Sequence, residues 1–164
     1  MTDLQDESRR IALADEAATA RLAARLAALA RPGDILALSG GLGAGKTAFA
    51  RAFLRARAGD PDLEVPSPTF TLVQSYDLPG GAVWHLDLYR LSDPSEVWEL
   101  GIEEALGRAI LLVEWPERMG TLLPEGSLWI ELVPGAGAGA GTRVATIEAP
   151  GAWKERLAAL PADG

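Results

Sequence analysis

The feature of this sequence that most constrains its fold is a glycine-rich stretch of eight residues, Gly40 to Thr47. It fits the pattern G-x-x-x-x-G-K-[ST], a loop whose backbone N–H groups surround nucleotide phosphates. The lysine can reach the β- and γ-phosphates, and the threonine hydroxyl is a ligand for Mg²⁺. We therefore predict a nucleotide-phosphate and Mg²⁺ site formed by Gly40, Gly41, Leu42, Gly43, Ala44, Gly45, Lys46 and Thr47.

The residues on either side of this loop supply the context that the pattern requires. Asp34 to Leu38 predicts a short buried strand, and Ala48 to Leu54 predicts a helix. The chain contains 18 glycines, so a glycine-rich loop alone would carry little weight. A loop between a strand and a helix, however, places the phosphates at a helix N-terminus, which carries a partial positive charge.

Length and composition limit the class of protein further. We predict a single domain over residues 1–164, with residues 1–8 frayed. The absence of cysteine excludes disulfides and cysteine-based metal sites. No apolar run is long enough to span a membrane and no signal-peptide pattern is present, so we expect a cytoplasmic protein without membrane association.

The net charge of -8 argues against direct binding to a nucleic-acid backbone. Any role in RNA chemistry would then depend on a protein partner, although most of the acidic residues are also explained by solubility alone.

The rest of the chain alternates between predicted strands and helices. Strands are predicted at 9–13, 69–76, 82–88, 127–133 and 143–149, the second and third as a hairpin. Helices are predicted at 16–30, from Pro94 onward with an interruption at Gly101, and at 151–160. The Gly/Ala tract at 134–141 predicts a flexible hairpin loop without a function of its own.

A second diagnostic stretch is the continuous apolar run Ala109 to Val113, which is followed by Glu114. Such a run predicts a strand buried on both faces, as in a parallel sheet. An acidic residue at the end of this strand stands where a Walker B carboxylate belongs, and it could hold Mg²⁺ opposite Thr47. The alternative is an ordinary charge at the end of a strand.

Asp87 and His85 share one face of the predicted strand 82–88. Asp87 could orient water or a metal-bound water over the γ-phosphate, or it could be a simple turn or cap residue. The pair is too sparse to be a metal site without more ligands, and we interpret His85 as structural.

Thr69 and Trp115 also admit two interpretations each. Thr69 follows two prolines in a polar loop, where it could sense the γ-phosphate like a switch residue or serve ordinary turn chemistry. Trp115 could pack in the core or contact a partner.

Four motifs, in this order and spacing, resemble the bacterial TsaE family, the ATPase of the tRNA threonylcarbamoyladenosine pathway. They are the glycine-rich loop, Ser67 to Val73, His85 to Leu91, and Val113 to Arg118. The loop is shared by many nucleotide hydrolases, whereas the other three motifs are much more specific. The resemblance extends from about Leu13 to Val133.

The resemblance implies a small P-loop α/β domain with a mixed parallel and antiparallel sheet flanked by helices. ATP and Mg²⁺ would be its cofactors, with Thr47 and Glu114 on the metal and Lys46 on the phosphates. Asp87 would be an essential active-site acid, Thr69 would lie in a switch-like loop, and Trp115 would lie beside the site. The partners would be TsaD and TsaB. Nucleotide turnover would reset the complex of these two proteins, and this chain would meet tRNA only through that complex.

Two positions depart from the family pattern. Ala48 stands where the family often has a second threonine, which removes a hydroxyl near the α-phosphate but keeps the backbone N–H for binding. Gly41 stands where a polar residue is common.

The leading functional hypothesis is a regulatory ATPase that is slow without its partners, since no arginine finger is evident in the chain. The alternatives are a small-metabolite kinase, which usually needs an arginine-bearing lid, and a nucleotide-sensing module with negligible turnover.

Overall fold

The computed structural model describes residues 8–135 and 141–158, which build a seven-stranded sheet with helices packed on its faces. The strands are β1 (Ser8–Leu13), β2 (Ile35–Ser39), β3 (Val73–Leu78), β4 (Gly81–Asp87), β5 (Ile110–Glu114), β6 (Leu128–Pro134) and β7 (Arg143–Glu148). The α-helices are α1 (Glu16–Leu29), α2 (Lys46–Ala58) and α3 (Gly151–Ala158). Short 3₁₀ helices lie at Pro94–Leu100, Ile102–Glu104 and Pro116–Leu122.

The strand order across the sheet is β1-β7-β6-β2-β5-β4-β3. The middle strands β6, β2, β5 and β4 are parallel, whereas β3, β7 and β1 each run antiparallel to their neighbours. This arrangement confirms the predicted α/β fold with a mixed sheet, the β3–β4 hairpin and the edge position of the first strand.

The register of the parallel strands aligns the ends that carry the predicted site. Leu38 of β2 lies opposite Glu114 of β5, and Glu114 lies opposite Asp87 of β4. All five residues of β5 are buried, as the continuous apolar run predicts. The carboxyl ends of β2, β5 and β4 therefore meet at one edge, where open α/β sheets bind their ligands.

Two apolar clusters cover the two faces of the sheet. The first packs the three α-helices against one face, with Leu22, Phe49 and Trp153 among its buried side chains. The second packs the 3₁₀ helices against the other face of β4 and β5, through side chains such as Val97 and Met119. Packing on both faces of the sheet therefore fixes the positions of the strand ends that carry the predicted site.

The segment before β3 corrects the predicted strand, which begins at Val73 and not at Thr69. Residues 69–71 form turns, and Leu72 follows as a bend with a left-handed backbone and a φ of 67°. The Leu72 N–H donates to the carbonyl oxygen of Pro68 at 2.7 Å. Because that donor closes a local turn, it is not available to a strand partner, and the strand starts one residue later.

The segment from Pro94 is helical, but its helices are 3₁₀. Asp93 caps it through a capping box with Glu96, and Gly101 interrupts it with a φ of 77°. The short run between the cap and this glycine leaves little room to propagate regular α-helical turns. The 3₁₀ helix Pro116–Leu122 is a further difference, since Pro116 was expected only to end β5.

Several predicted boundaries move at the chain ends and at the hairpin. Ser8, expected to be frayed, pairs with Glu148, and Pro134, expected in the loop, pairs with Arg143. Predictions for residues 1–7, for 136–140 of the Gly/Ala tract and for 159–160 of the last helix lie outside the described residues. Within the described ranges, no helix has the length and apolar character needed to cross a membrane.

Candidate nucleotide-binding site

The glycine-rich loop connects β2 to α2 through backbone conformations that other residues avoid. Gly40 has a φ of 142°, and a Cβ there would lie 2.4 Å from the carbonyl oxygen of Leu132. Gly45 has a φ of 103° and is the N-cap of α2, where it offers no side-chain acceptor to the first helical turn. The N–H groups at the start of α2 therefore have no side-chain cap at this position, which suits an anion site.

Lys46, the first residue of α2, is held beneath the loop. Its Nζ donates to the carbonyl oxygens of Gly40 at 2.6 Å and Gly41 at 2.7 Å, and it lies 4.1 Å from the centroid of the Trp115 ring. Burial lowers the pKa of Lys46, and the nearby carboxylates, Glu114 first among them, oppose that shift only in part. The ammonium is thus positioned by contacts on two sides.

Glu114 is the centre of a polar chain that crosses the site edge. It accepts a hydrogen bond from the Thr47 hydroxyl, with Oγ1 at 3.0 Å from Oε1 and 3.2 Å from Oε2. His85 Nε2 lies 2.6 Å from the same Oε2. Glu114 and His85 are both buried, so the strand-end carboxylate is not an ordinary surface charge.

Asp87 lies beside Glu114 on the neighbouring strand and is also buried. Its Oδ2 accepts a hydrogen bond from the Thr69 hydroxyl at 3.2 Å, and its Oδ1 accepts one from the Tyr89 N–H at 3.1 Å. The Asp87 N–H donates to the carbonyl oxygen of Leu72 at 3.0 Å. The loop with the left-handed Leu72 thereby brings Thr69 to the carboxylate.

Trp115 forms one wall of the site and has a left-handed backbone with a φ of 59°. Such a conformation costs a non-glycine residue about 1–3 kcal/mol and concentrates at functional sites. The Trp115 ring packs against the Tyr89 ring, with 5.0 Å between the two ring centroids, and its face contacts the Lys46 ammonium. Trp115 is partly buried, so its burial does not decide between core packing and contact with a partner.

These residues surround an open pocket of about 370 Å³. Its walls are Leu42, Gly43, Ala44, Gly45, Lys46, Thr47, Ala48, Thr69, Asp87, Tyr89, Arg90, Glu114 and Trp115. Gly40 and Gly41 are the predicted residues that are not in the wall, and they contribute the carbonyls that hold Lys46. The fold brings residues from four separate motifs to one cavity.

Tyr89 and Arg90 line this pocket although neither was assigned a role from the sequence. Arg90 stacks on the exposed ring of Phe70, 4.6 Å from its centroid, so an arginine of this chain does lie at the pocket. Both residues belong to the stretch His85 to Leu91 that carries the family resemblance. Their position two and three residues after Asp87 was the available signal.

The donor set fits a nucleotide-bound Mg²⁺ better than a metal held by protein alone. Across the two described ranges, no three His, Cys, Asp or Glu side chains form a metal-binding group. A hydroxyl and a carboxylate with adjacent oxygens, Thr47 and Glu114, leave the other ligand positions to phosphates and water, the arrangement that Mg²⁺ favours.

A comparison with protein families matches residues 13–140 to the family described as threonylcarbamoyl adenosine biosynthesis protein TsaE. The matched range contains every residue of the pocket wall.

Individual relatives carry the name tRNA threonylcarbamoyladenosine biosynthesis protein TsaE. The protein from Rickettsia bellii is 41% identical over 120 residues, covering 73% of this chain and 83% of the relative. The protein from Rickettsia felis is 44% identical over 68% of this chain, and the match spans 64% of that relative. The Bacillus subtilis protein is 41% identical, covering 68% and 69% of the two chains.

Among solved structures, the crystal structure of Bacillus subtilis YdiB is similar to this chain, with a TM-score of 0.71. The two chains are 31% identical, and the superposition covers 92% of this chain and 91% of the other.

Proposed function

The chain belongs to the TsaE family of threonylcarbamoyl adenosine biosynthesis proteins, and we propose that it serves this tRNA modification as a Mg²⁺-dependent ATPase. Names of its relatives place the family in tRNA threonylcarbamoyladenosine biosynthesis. The nucleotide, the metal and the hydrolysis are our inference from the geometry of the pocket.

The observation that carries the proposal is the contact between Thr47 and Glu114, whose oxygen atoms lie 3.0 Å apart at the mouth of the glycine-rich loop. Residues from two different elements, the start of α2 and the end of β5, supply these oxygens. They would hold Mg²⁺ together, directly or through water. When bound, the metal would neutralise negative charge on the phosphates during phosphoryl transfer.

The other residues divide the remaining tasks. The loop N–H groups and the Lys46 ammonium would bind the β- and γ-phosphates, which fixes the nucleotide against the start of α2. Asp87 would orient the attacking water by accepting a hydrogen bond from it. Its two oxygens already accept from Thr69 and Tyr89, which sets the direction of the carboxylate. Thr69 would link the preceding loop to the state of the γ-phosphate.

We propose TsaD and TsaB as the partners, with nucleotide turnover resetting their complex. Large apolar side chains near the pocket support a protein partner there, with Leu42 75% and Phe70 81% exposed. Such side chains gain by being covered in a protein interface. The net charge of -8 argues that tRNA is met through that complex and not by this chain directly.

The test is release of phosphate from ATP, measured for this protein alone and then with purified TsaD and TsaB. We expect slow release alone and stimulation by the pair. Lys46→Ala should abolish the stimulated activity, because it removes the charge on the β- and γ-phosphates. Lys154→Ala is the matched control, since Lys154 is an exposed lysine of α3 and lies outside the pocket wall.

Wild-type turnover in Lys46→Ala would contradict the site assignment. ATP binding without any stimulated release would support a nucleotide-sensing module. Phosphate transfer that requires an added small-molecule acceptor would support a kinase.

A further inference from the structure

Arg143 is a residue without an assigned role whose side chain contacts the glycine-rich loop. It is the first residue of β7 and pairs with Leu13 of β1 and Pro134 of β6. It lies outside the range 13–140 that the family comparison matches, and it does not line the pocket.

Three nitrogen atoms of the Arg143 guanidinium donate to backbone carbonyl oxygens. Nε donates to Ala44 at 2.8 Å, and Nη2 donates to Gly43 at 2.9 Å, so two of the three bonds end on the glycine-rich loop. Nη1 donates to Thr142 at 2.9 Å, which anchors the group to the residue just before β7. A planar fork of this kind fixes the direction of the carbonyls that it holds, which a single ammonium cannot do.

The direction of these carbonyls determines where the loop N–H groups point. The chain contains no cis peptide bond among the described residues, so the N–H of Gly45 points away from the Ala44 carbonyl of the same peptide. Arg143 is not part of the pocket wall, whereas Gly45 is, so the guanidinium holds the Ala44 carbonyl from outside the wall. The contact therefore favours the orientation in which the Gly45 N–H is turned towards a bound phosphate.

The glycine content of the loop explains why a contact that restricts its backbone would matter. Gly43 and Gly45 have positive φ values of 75° and 103°, and glycine loses more conformational freedom on ordering than any other residue. The Ala44 N–H already closes a turn with the Gly41 carbonyl at 3.1 Å. The guanidinium adds two hydrogen bonds from outside the loop to this turn and to the two bonds that Lys46 donates to the Gly40 and Gly41 carbonyls.

We propose that Arg143 is a positioning residue for nucleotide binding, which holds the glycine-rich loop in its phosphate-binding conformation from outside the pocket wall. This inference rests on the proposed function, because it takes a nucleotide phosphate as the ligand. It couples the β6–β7 hairpin to the nucleotide site, and it acts on affinity by reducing the freedom that the empty loop would lose on binding.

The test compares Arg143→Met and Arg143→Lys with Arg57→Met as the matched control. Arg57 also donates to three backbone carbonyls, those of Ala27, Ala30 and Gly80 at 2.9, 3.0 and 3.5 Å, but none of them belongs to the loop. The affinity for ATP is measured by calorimetry without Mg²⁺. Hydrogen exchange at residues 40–45 is followed in the nucleotide-free proteins, and unfolding is followed in urea.

We expect Arg143→Met to bind ATP about tenfold more weakly, the effect of losing a hydrogen bond to a charged group, with faster exchange in the loop. Arg143→Lys keeps the charge and should fall between Arg143→Met and the wild type. Arg57→Met should lose stability while keeping wild-type affinity and wild-type exchange in the loop.

Wild-type ATP affinity in Arg143→Met would overturn the inference. Wild-type affinity in Arg143→Lys alone would overturn it too, since a positive charge without the planar guanidinium would then be enough to position the loop. If Arg143→Met fails to fold, Arg143→Lys and its loop exchange decide the question. If the wild-type protein does not bind ATP, the proposed function fails first, and unchanged loop exchange in the folded variants would separately refute the contact's effect on the loop.

Discussion

His85 Nε2 lies 2.6 Å from Glu114 Oε2, and the imidazole and the carboxylate are both buried at the edge of the sheet where the pocket opens. Because the carboxylate can only accept, the ring donates from Nε2. The other ring nitrogen, Nδ1, has no hydrogen-bond partner among the described residues. Among the described residues the ring therefore has one hydrogen-bond partner, Glu114, and it shares the carboxylate oxygen Oε2 with the Thr47 hydroxyl.

This relationship predicts that His85→Phe weakens the dependence of ATP binding on Mg²⁺. Removing the donor leaves a buried carboxylate with one partner fewer, which we expect to destabilise the fold by about 1–3 kcal/mol. Loss of a residue that orients a metal ligand typically costs about 10–100-fold in metal affinity. Calorimetric titration of Mg²⁺ into the protein with ATP measures the second effect, and urea unfolding measures the first.

The control for this variant is His85→Gln, whose amide can still donate to Glu114 and should restore much of the Mg²⁺ affinity. Affinity for ATP without Mg²⁺ should change little in either variant. Equal Mg²⁺ affinity in His85→Phe and the wild type would show that the histidine does not position the carboxylate.

Asp87→Asn is expected to lower turnover much more than it lowers ATP affinity. The amide is nearly the same size but is a weaker acceptor, so a water at this position would be poorly oriented while the phosphate contacts remain. We expect turnover to fall by about 100-fold or more, with ATP affinity changed by about threefold at most. Phosphate release in the complete complex and calorimetry on the isolated protein give the two numbers.

Normal hydrolysis by Asp87→Asn in the complex would remove Asp87 from the catalytic assignment. Asp77→Asn, on the β3–β4 hairpin and away from the pocket wall, is the matched control and should behave as the wild type.

The affinity for ATP should fall with rising pH, and it should do so below the pH at which an ordinary lysine loses its proton. Burial lowers the pKa of Lys46 in the free protein. Only the ammonium form attracts phosphate, and bound phosphate raises the pKa again, so binding takes up a proton at alkaline pH. Affinity is therefore full below the lowered pKa and is lost as the pH rises through it.

Calorimetry at a series of alkaline pH values measures this profile. Lys46→Arg is the informative control, because a guanidinium stays protonated over the same range. Its affinity should be lower than that of the wild type but should not show the same alkaline decline. An identical decline in both proteins would assign the effect to another group.

Gly40→Ala should destabilise the fold even without nucleotide. The new Cβ would meet the Leu132 carbonyl oxygen at 2.4 Å, and the φ of 142° is strained for any residue with a side chain. Overpacking of this kind costs about 1–3 kcal/mol, and the backbone conformation costs about 1–3 kcal/mol more. Gly41→Ala is the matched control, since its Cβ would meet nothing within 4 Å, and it should change the free energy of unfolding by less than about 0.5 kcal/mol.

Urea unfolding of the two variants distinguishes these outcomes. Equal stability of Gly40→Ala and Gly41→Ala would mean that the loop can move away from Leu132 at little cost.

Local patterns in the sequence predicted most of the fold because they depend on neighbours along the chain. The apolar run before Glu114 predicted a buried parallel strand, and the spacing of Asp93, Pro94 and Glu96 predicted a capped helix start. The segment before Val73 escaped prediction, since a left-handed leucine at position 72 has no signature in residue type. The 3₁₀ helix at Pro116 was not predicted either, since it follows Trp115, whose left-handed backbone also has no signature in residue type.

The sequence by itself determined the residues of the phosphate loop and the family resemblance, since both depend on residue types at fixed spacings. Only the tertiary structure decided which side chains meet. His85 and Glu114 are 29 positions apart and Arg143 is 99 positions from Ala44, yet each pair is in hydrogen-bond contact. Such contacts follow from strand order and register in the sheet, which depend on the packing of the whole chain and not on any local pattern.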